Sequence, residues 1–379
     1  MDLGSKSGLA LRSTVTGDAL RLSLERVAVV PPGLGEVLVR MDAAPIHPAD
    51  VMVLFAGAEL GAARTDSPEA LVAPLPEHAR SGAAGRMDRP LKVGLEGAGV
   101  VLAAGQDAEA LIGKSVAVLV PGLGAYAQYC TVPAASCIEL PAGLGPRAGA
   151  AAFTNPLTAL AMVETLHQTG ERAMVHTAAA SSLGQMLVRI CAEDGIGLIN
   201  IVRRPEQVDL LRALGADHVC DSSASDFRAQ LARALAETGA RVAFDAIGGG
   251  DMASTLLEAM EEAAVGQMAD FNAYGSPDMK RVYLYGRLDS GVTVIPRGPY
   301  GLLWSLEGWS MPPILERAGE GRTADLRRRI AEGLSTTFTT AFGSEITLPQ
   351  MLDPAVVQRF ARHETAGKFL VTMPANEDR

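Results

Sequence analysis

The sequence predicts an α/β protein: a Rossmann-type doubly wound parallel sheet joined to a small β-barrel. Three observations carry that expectation. Residues 172–250 alternate short apolar strands with helices, the texture of a parallel sheet covered on both faces. Residues 9–150 read instead as short strands separated by turns such as Pro31-Pro32-Gly33 and Pro121-Gly122-Leu123-Gly124. Strand texture returns at 335–348 and 367–371, so the tail is expected to rejoin the barrel. A length of 379 residues suits about two domains. The expected divisions are 1–152 for the first part of the barrel domain, 153–334 for the sheet domain and 335–379 for the return.

Taken in order, Gly35-Glu36-Val37-Leu38-Val39-Arg40-Met41 and Lys114-Ser115-Val116-Ala117-Val118-Leu119-Val120 are barrel strands. Residues 57–90, rich in Ala, Gly and Pro, read as a long loop between them. Loops of that length are functional lids or disordered insertions. Arg64, His78, Arg80, Arg86 and Arg89 give this one positive charge suited to an anionic or phenolic ligand.

Ala173-Met174-Val175-His176 opens the second domain as a buried strand. Thr177 to Gly184 is a turn of small residues, and 185–194 is a helix ended by Gly195 and Gly197. Leu198-Ile199-Asn200-Ile201-Val202 is the next strand. Further strands are expected at 216–220, 241–247, 282–285 and 292–295, with helices at 252–268 and 324–334.

Strand, small-residue turn and helix together make a pyrophosphate site, because free backbone N–H groups and the helix dipole point at the anion. Ala180, Ser181, Ser182, Leu183 and Gly184 are its candidate contacts. The pattern G-x-G-x-x-G is absent and only Gly184 of it survives. An acidic residue after the second strand selects NAD, whereas Arg accommodates the 2′-phosphate of NADP. Arg203 and Arg204 hold that position, so NADPH is the expected cofactor. Asp245-Ala246-Ile247-Gly248 ends a strand on the carboxyl side, where such sheets bind ligands. Ile247, Gly248, Tyr285 and Gly286 complete the candidate cofactor contacts.

Composition narrows the function further. Net charge is −10 with no basic stripe, which argues against nucleic acid. No run of 18 uncharged apolar residues predicts a membrane span, and Met1 to Lys6 lacks the layout of a signal peptide. Cys130, Cys137, Cys191 and Cys220 are scattered without C-x-x-C pairing, which suits a reducing cytoplasm and not a cysteine-held zinc.

Nearly the whole chain resembles the medium-chain dehydrogenase/reductase superfamily. The residues that carry this are Gly35-Glu36-Val37-Leu38-Val39, His47-Pro48-Ala49-Asp50, Gly94-Leu95-Glu96-Gly97-Ala98-Gly99-Val100-Val101 and Gly124-Ala125-Tyr126-Ala127-Gln128-Tyr129. Leu140-Pro141, Asn155-Pro156-Leu157-Thr158-Ala159, Leu214-Gly215-Ala216-Asp217 and Gly367-Lys368 add to it. The resemblance implies a GroES-like catalytic domain split around a Rossmann domain, with the cofactor in the cleft. It is closest to the zinc-independent quinone oxidoreductase branch. Zinc-dependent members carry ligands where this chain has His47, Leu95 and Thr154, and one imidazole does not supply about three protein ligands. The enoyl-thioester reductases are the runner-up, but their catalytic Tyr has no counterpart near residues 55–58.

The resemblance also implies roles. Thr158 lies near the nicotinamide, as a catalytic and cofactor-binding residue. His47, where related quinone reductases have Asn, donates to the carboxamide or to a substrate oxygen, or shuttles a proton; its alternative is a structural loop histidine. Lys368 reaches a cofactor phosphate or caps a strand end. Asp50 orders its loop, Tyr126 and Tyr129 pack the barrel, and Trp304 and Trp309 belong to the core or the cleft. Residues 292–295 resemble the edge strand through which this family forms homodimers. The expected reaction is hydride transfer from NADPH to a quinone or enone, with an enoyl-thioester reductase or a catalytically silent NADPH sensor as alternatives.

Overall fold

The computed structural model describes residues 6–362 and 367–373. The chain divides into two compact units, one of residues 1–154 with 328–379 and one of residues 155–327. The second division falls inside a long helix, where the sequence reading had placed it after that helix.

In the first unit, β1 (Ser7–Thr16) and β2 (Ala19–Ala28) form an antiparallel hairpin over Gly17, whose φ is +59°. Apolar residues alternate along β2, so Leu20, Leu22 and Leu24 all face the core. Burying each contributes about 1.5–3 kcal/mol. β3 (Glu36–Pro45) leads to α1 (Pro48–Phe55), with Pro at its first helical position.

The stretch 57–90 is not a loop. It contains β4 (Arg64–Ser67), β5 (Ala70–Pro74) and α2 (Glu77–Ala83). β5 pairs antiparallel with β2, from Ala19↔Pro74 to Ser23↔Ala70, and buries Ala70, Leu71, Ala73 and Leu75. With β6 (Leu91–Lys92) these strands make a five-stranded sheet in the order β4-β5-β2-β1-β6. Two of the charges assigned to a lid, Arg64 and Arg86, are also committed. Asp66 faces Arg21 and Arg64, and Arg86 donates to Val53 O at 2.6 Å and Ser13 Oγ at 2.7 Å. The reading failed because β4 and β5 are short and built from small residues; the turn at Pro68-Glu69 was the available signal. β7 (Glu96–Ala104), β8 (Ser115–Leu119), β9 (Tyr129–Pro133), β10 (Cys137–Glu139) and the single-turn helix α3 (Pro146–Gly149) follow.

The second unit begins in α4 (Thr154–Thr169) and continues through β11 (Ala173–His176), α5 (Ser182–Asp194), β12 (Gly197–Val202), α6 (Pro205–Ala213) and β13 (His218–Asp221). Next come α7 (Phe227–Thr238), β14 (Val242–Asp245), α8 (Met252–Gly266), β15 (Met279–Leu284) and β16 (Leu303–Gly308). The six strands are all parallel, in the order β13-β12-β11-β14-β15-β16. This is the doubly wound order that places ligands at the carboxyl ends of the central strands. Val175, Ile199, Ile201, Leu231, Leu256, Leu257 and Val282 form its core. The expected strand at 292–295 is absent. Thr293 makes one isolated bridge to Gly250, and Val292 is 80% exposed. The sixth strand is β16.

The helical segment α9 (Met311–Gly333) bends at Gly319, where φ is +83°. β17 (Phe342–Thr347), α10 (Pro354–Ala361) and β18 (Lys368–Thr372) then return to the first unit. β18 is antiparallel to β3, pairing Leu370 with Pro45 and Thr372 with Ala43, and parallel to β17. The resulting seven-stranded sheet runs β10-β8-β7-β3-β18-β17, with β9 also on β3. Among the described residues, no helix is long and apolar enough to cross a membrane.

Candidate functional site

In the second unit the chemistry gathers at the carboxyl ends of β11, β12, β14 and β15. Thr177 leaves β11 with its N–H on Phe244 O at 3.1 Å, and Ala178 adopts a left-handed conformation at φ +52°. A left-handed alanine costs about 1–2 kcal/mol relative to helical backbone. Ser181 caps α5, its Oγ accepting from Gly184 N–H at 3.2 Å. A Cβ built on Gly184 would lie 2.1 Å from Ala179 O, so only glycine lets the helix meet the turn this closely. The amides of Ala180, Ser182 and Leu183 have no acceptor among the described residues. The cradle thus keeps the open donors and the bare approach that a pyrophosphate needs.

Arg203 and Arg204 follow β12, both exposed. Arg204 Nε lies 3.3 Å from Glu206 Oε1, a neighbouring carboxylate that the sequence reading did not weigh. At the end of β14, Asp245 organises the next loop. Its Oδ1 accepts from Thr177 Oγ1 at 2.7 Å and Ile247 N–H at 2.9 Å, and its Oδ2 accepts from Gly248 N–H at 3.1 Å. Gly286 packs against this loop so closely that a Cβ would lie 2.4 Å from Ala246 O.

Tyr285 meets His176, which sequence reasoning treated only as a strand residue. The phenol oxygen is 2.7 Å from His176 Nε2, and the rings stack at 5.8 Å. His176 is fully buried, and burial pushes its pKa down to about 3, so the imidazole is neutral. Trp309, half-buried, packs its edge on Tyr285 and donates to Thr165 Oγ1 at 3.0 Å. Trp304 lies on β16, 41% exposed, against Tyr300. Thr158 is on α4, its hydroxyl 3.9 Å from Met311 Sδ.

The first unit holds a second polar centre. His47, Asp50, Glu96 and Tyr126 are each no more than 2% exposed. His47 Nε2 meets Glu96 Oε1, and His47 Nδ1 lies 2.6 Å from Lys368 Nζ. The other oxygen of Glu96 accepts from Phe153 N–H at 2.8 Å. These partners assign the protons: Lys368 donates to Nδ1, and Nε2–H donates to the carboxylate. Burial acts to raise Glu96, but His47 and the Phe153 amide outweigh it and hold the carboxyl below its usual value. Asp50 accepts from His47 N–H at 2.9 Å and Leu95 N–H at 3.1 Å, and burial raises its carboxyl. Tyr126 donates to Pro45 O at 3.0 Å.

Both His47 ring nitrogens have partners here, Glu96 and Lys368. Lys368, the first residue of β18, directs its amine at His47. Glu96 was missed as a functional group; its signal was a lone acid inside an apolar and glycine-rich strand. A zinc ion does not fit here. Both His47 nitrogens are engaged, Leu95 offers no donor, and no group of three or more His, Cys, Asp or Glu among the described residues is placed to hold a metal.

Two family models match the chain: an alcohol dehydrogenase GroES-like domain over residues 33–142, and a domain described as zinc-binding dehydrogenase over 182–272. A mycocerosic acid synthase-like polyketide synthase of Mycobacterium tuberculosis is 28% identical over 65% of this chain, which spans only 10% of that protein. A mitochondrial enoyl-[acyl-carrier-protein] reductase of Xenopus tropicalis is 33% identical over 56% of this chain and 57% of its own length. Among solved structures, a Mesorhizobium loti protein assigned as an NADPH:quinone reductase is 27% identical, with a TM-score of 0.70 over 97% of this chain and 98% of that one.

Proposed function

The chain is an oxidoreductase of the medium-chain dehydrogenase/reductase superfamily, in its quinone-reductase-like branch, and from that premise we propose that it is a zinc-independent, NADPH-dependent enzyme that passes hydride to a quinone or an enone. The observation that carries this reading is the cradle at Gly184, with open amides at Ala180, Ser182 and Leu183 and an exposed Arg203 beyond β12. The amides and the α5 dipole hold a pyrophosphate, and Arg203 with Arg204 pairs with a 2′-phosphate. Asp245 fixes the loop through Gly248, so the backbone that would meet the nicotinamide half is set before binding. When bound, the cofactor supplies the hydride, and the protein supplies position and electrostatics. The engaged nitrogens of His47 support zinc independence.

The acceptor class draws on shared chemistry. Quinones and enoyl groups, the acceptors in the names of similar proteins, are both electron-poor conjugated systems. The 33% identity to an enoyl reductase favours an enoyl thioester as the second reading. Against it, the segment from Met52 to Ala58 carries no Tyr. We also propose a cytoplasmic homodimer; its edge would be β16, where Leu303 is 53% and Trp304 41% exposed.

The test is NADPH oxidation, followed by absorbance, against quinones, enones and 2-enoyl thioesters. Oxidation with the first two classes is expected. Preference for the thioesters by 100-fold or more would favour the second reading. Tight NADPH binding without turnover on any acceptor would make the protein a sensor.

A further inference from the structure

The first unit holds a cavity of about 340 Å³ that shares no residue with the His47 centre. Its size falls at the small end of ligand pockets, about 300–1,000 Å³. One wall is β1, whose period of two turns Gly8, Ala10 and Arg12 to the same face. Gly8 makes room for the Tyr129 ring, since a Cβ there would lie 2.6 Å from the ring edge. Val27, Val29 and Leu38 add apolar wall. Strand register then brings two cations together in this space. Arg12 on β1 lies directly opposite Lys92 on β6, and both line the cavity. Like charges directly opposite across antiparallel strands are destabilising. The unit does little to relieve this pair. The Arg12 side chain is only 12% exposed, yet its Nη1 donates merely to Leu11 O at 3.0 Å, and its Nε lies 3.8 Å from Glu25 Oε2, beyond hydrogen-bond reach. Arg12 Nη2 has no acceptor among the described residues. Cys130 also lines the cavity, but burial pushes its thiol up to about 11, so it supplies no anion to Lys92.

We propose that this cavity binds a small amphipathic monocarboxylate, with its carboxylate between Arg12 and Lys92 and its apolar tail along Val27, Val29 and Leu38. The site lies wholly in the first unit and does not depend on the hydride-transfer reading. The charge count sets the class of ligand. Lys6, held 5.0 Å over the Tyr129 ring, joins Arg12 and Lys92 as a third cation, against two acids, Glu25 and Glu36. One positive charge is left over, which a monoanion neutralises. Glu36 is turned to its own loop, where it accepts from Gly33 N–H at 2.9 Å. The planar guanidinium suits a carboxylate, and the Lys92 ammonium adds a second charged donor. The apolar wall is left uncovered by a bare inorganic anion and is filled by a hydrocarbon tail. Binding then replaces the repulsion between Arg12 and Lys92 with a contact from each to one shared anion.

The test uses the full chain and octanoate as the probe, with octanol and inorganic phosphate as controls. Calorimetry at low salt gives the affinity, and thermal melting gives the stabilisation. Octanoate should bind once per chain. Octanol lacks the charge and phosphate lacks the tail, so each should bind ~10-fold or more weakly. Arg12→Gln should weaken octanoate by ~10-fold or more. Lys92→Gln should weaken it too, yet leave the ligand-free Tm unchanged or higher, because the like-charge pair is relieved. A lysine that merely held the strands together would lower that Tm on replacement. Saturating NADPH should leave octanoate affinity as it was, which separates this site from the cofactor cradle. Wild-type protein that does not bind octanoate at millimolar concentration overturns the proposal. So does octanol binding as tightly as octanoate, displacement of octanoate by NADPH, or unchanged octanoate affinity in an Arg12→Gln variant that melts like the wild type.

Discussion

Replacing Lys280 with Met should destabilise the second unit more than any other single side-chain change away from its cofactor cradle. Lys280 lies in β15 with no exposed surface, and its amine donates to Glu261 on α8 and to Ser276 Oγ at 2.8 Å. Glu261, 4% exposed, also accepts from Ser276 N–H at 2.7 Å and Ser276 Oγ–H at 2.6 Å. Gly275 and Gly301, at φ +92° and +77°, wrap the pair; a Cβ on either would lie 2.3 Å from a Glu261 oxygen. The Met variant keeps the volume and strands the carboxylate. Losing one partner of a buried pair costs about 3–5 kcal/mol. For a unit of this size that lowers Tm by roughly 6–20 °C. Glu261→Leu with Lys280→Met removes both charges and should recover most of the loss, because the desolvation cost goes with them. The measurement is urea unfolding followed by tryptophan fluorescence, with Trp304 and Trp309 as the only reporters. A pH series adds a sign. Burial acts to raise Glu261, but Lys280 and Ser276 hold it below 4.5, so its contribution is complete above that value and fades as acid protonates it. A single-variant loss under about 1 kcal/mol, or a double variant as weak as the single, would refute the reasoning.

Three further outcomes are expected. Gly184→Ala should abolish measurable NADPH binding and cost about 1–3 kcal/mol, because the new Cβ meets Ala179 O at 2.1 Å; dye-based melting and NADPH fluorescence titration check both. Arg203→Ala with Arg204→Ala should weaken NADPH by about 1.5–3 kcal/mol or more and leave NADH nearly unchanged, with Arg203 the larger share since Glu206 already faces Arg204; equal losses for the two cofactors would remove the 2′-phosphate assignment. Leu71→Ala should cost about 2–5 kcal/mol in denaturant unfolding, since Leu71 is a fully buried member of β5; a neutral result would restore the lid reading of this stretch.

The parallel sheet was legible because each of its central strands is a short apolar run followed by an amphipathic helix and a glycine stop. Its edge was not. Val292-Thr293-Val294-Ile295 has the β-branched run of a strand, yet Val292, Thr293 and Val294 are exposed and only Ile295 packs inward, while Leu303-Trp304-Ser305-Leu306-Glu307-Gly308 pairs along all of β15. Propensity describes fit to a half-buried pleat, and the chain around it decides where that pleat lies. The phosphate turn and the two arginines could be named from local sequence alone. The relation of His47 to Lys368 could not, because 321 positions separate them and only the return of β18 to β3 brings them together. Lys280 and Glu261 each look like surface charges until their mutual burial is seen.

The placement of β18 between β3 and β17 also sets an order of assembly. Residues 155–327 find all their strand partners among themselves, so that sheet can close while the rest of the first unit still waits. The seven-stranded sheet has no such freedom, because β3 stays without its β18 neighbour until residues 368–372 have emerged. Contacts of such long range are slow to form, since the chain between them must be ordered before they reward it. During synthesis the Ala43–Pro45 end of β3, which β9 does not reach, therefore carries an open edge for most of the time the chain is being made, a template for wrong pairing. The Lys368–His47 contact closes with that same edge, so a molecule whose barrel is misassembled reaches the cofactor-binding state without its buried polar centre.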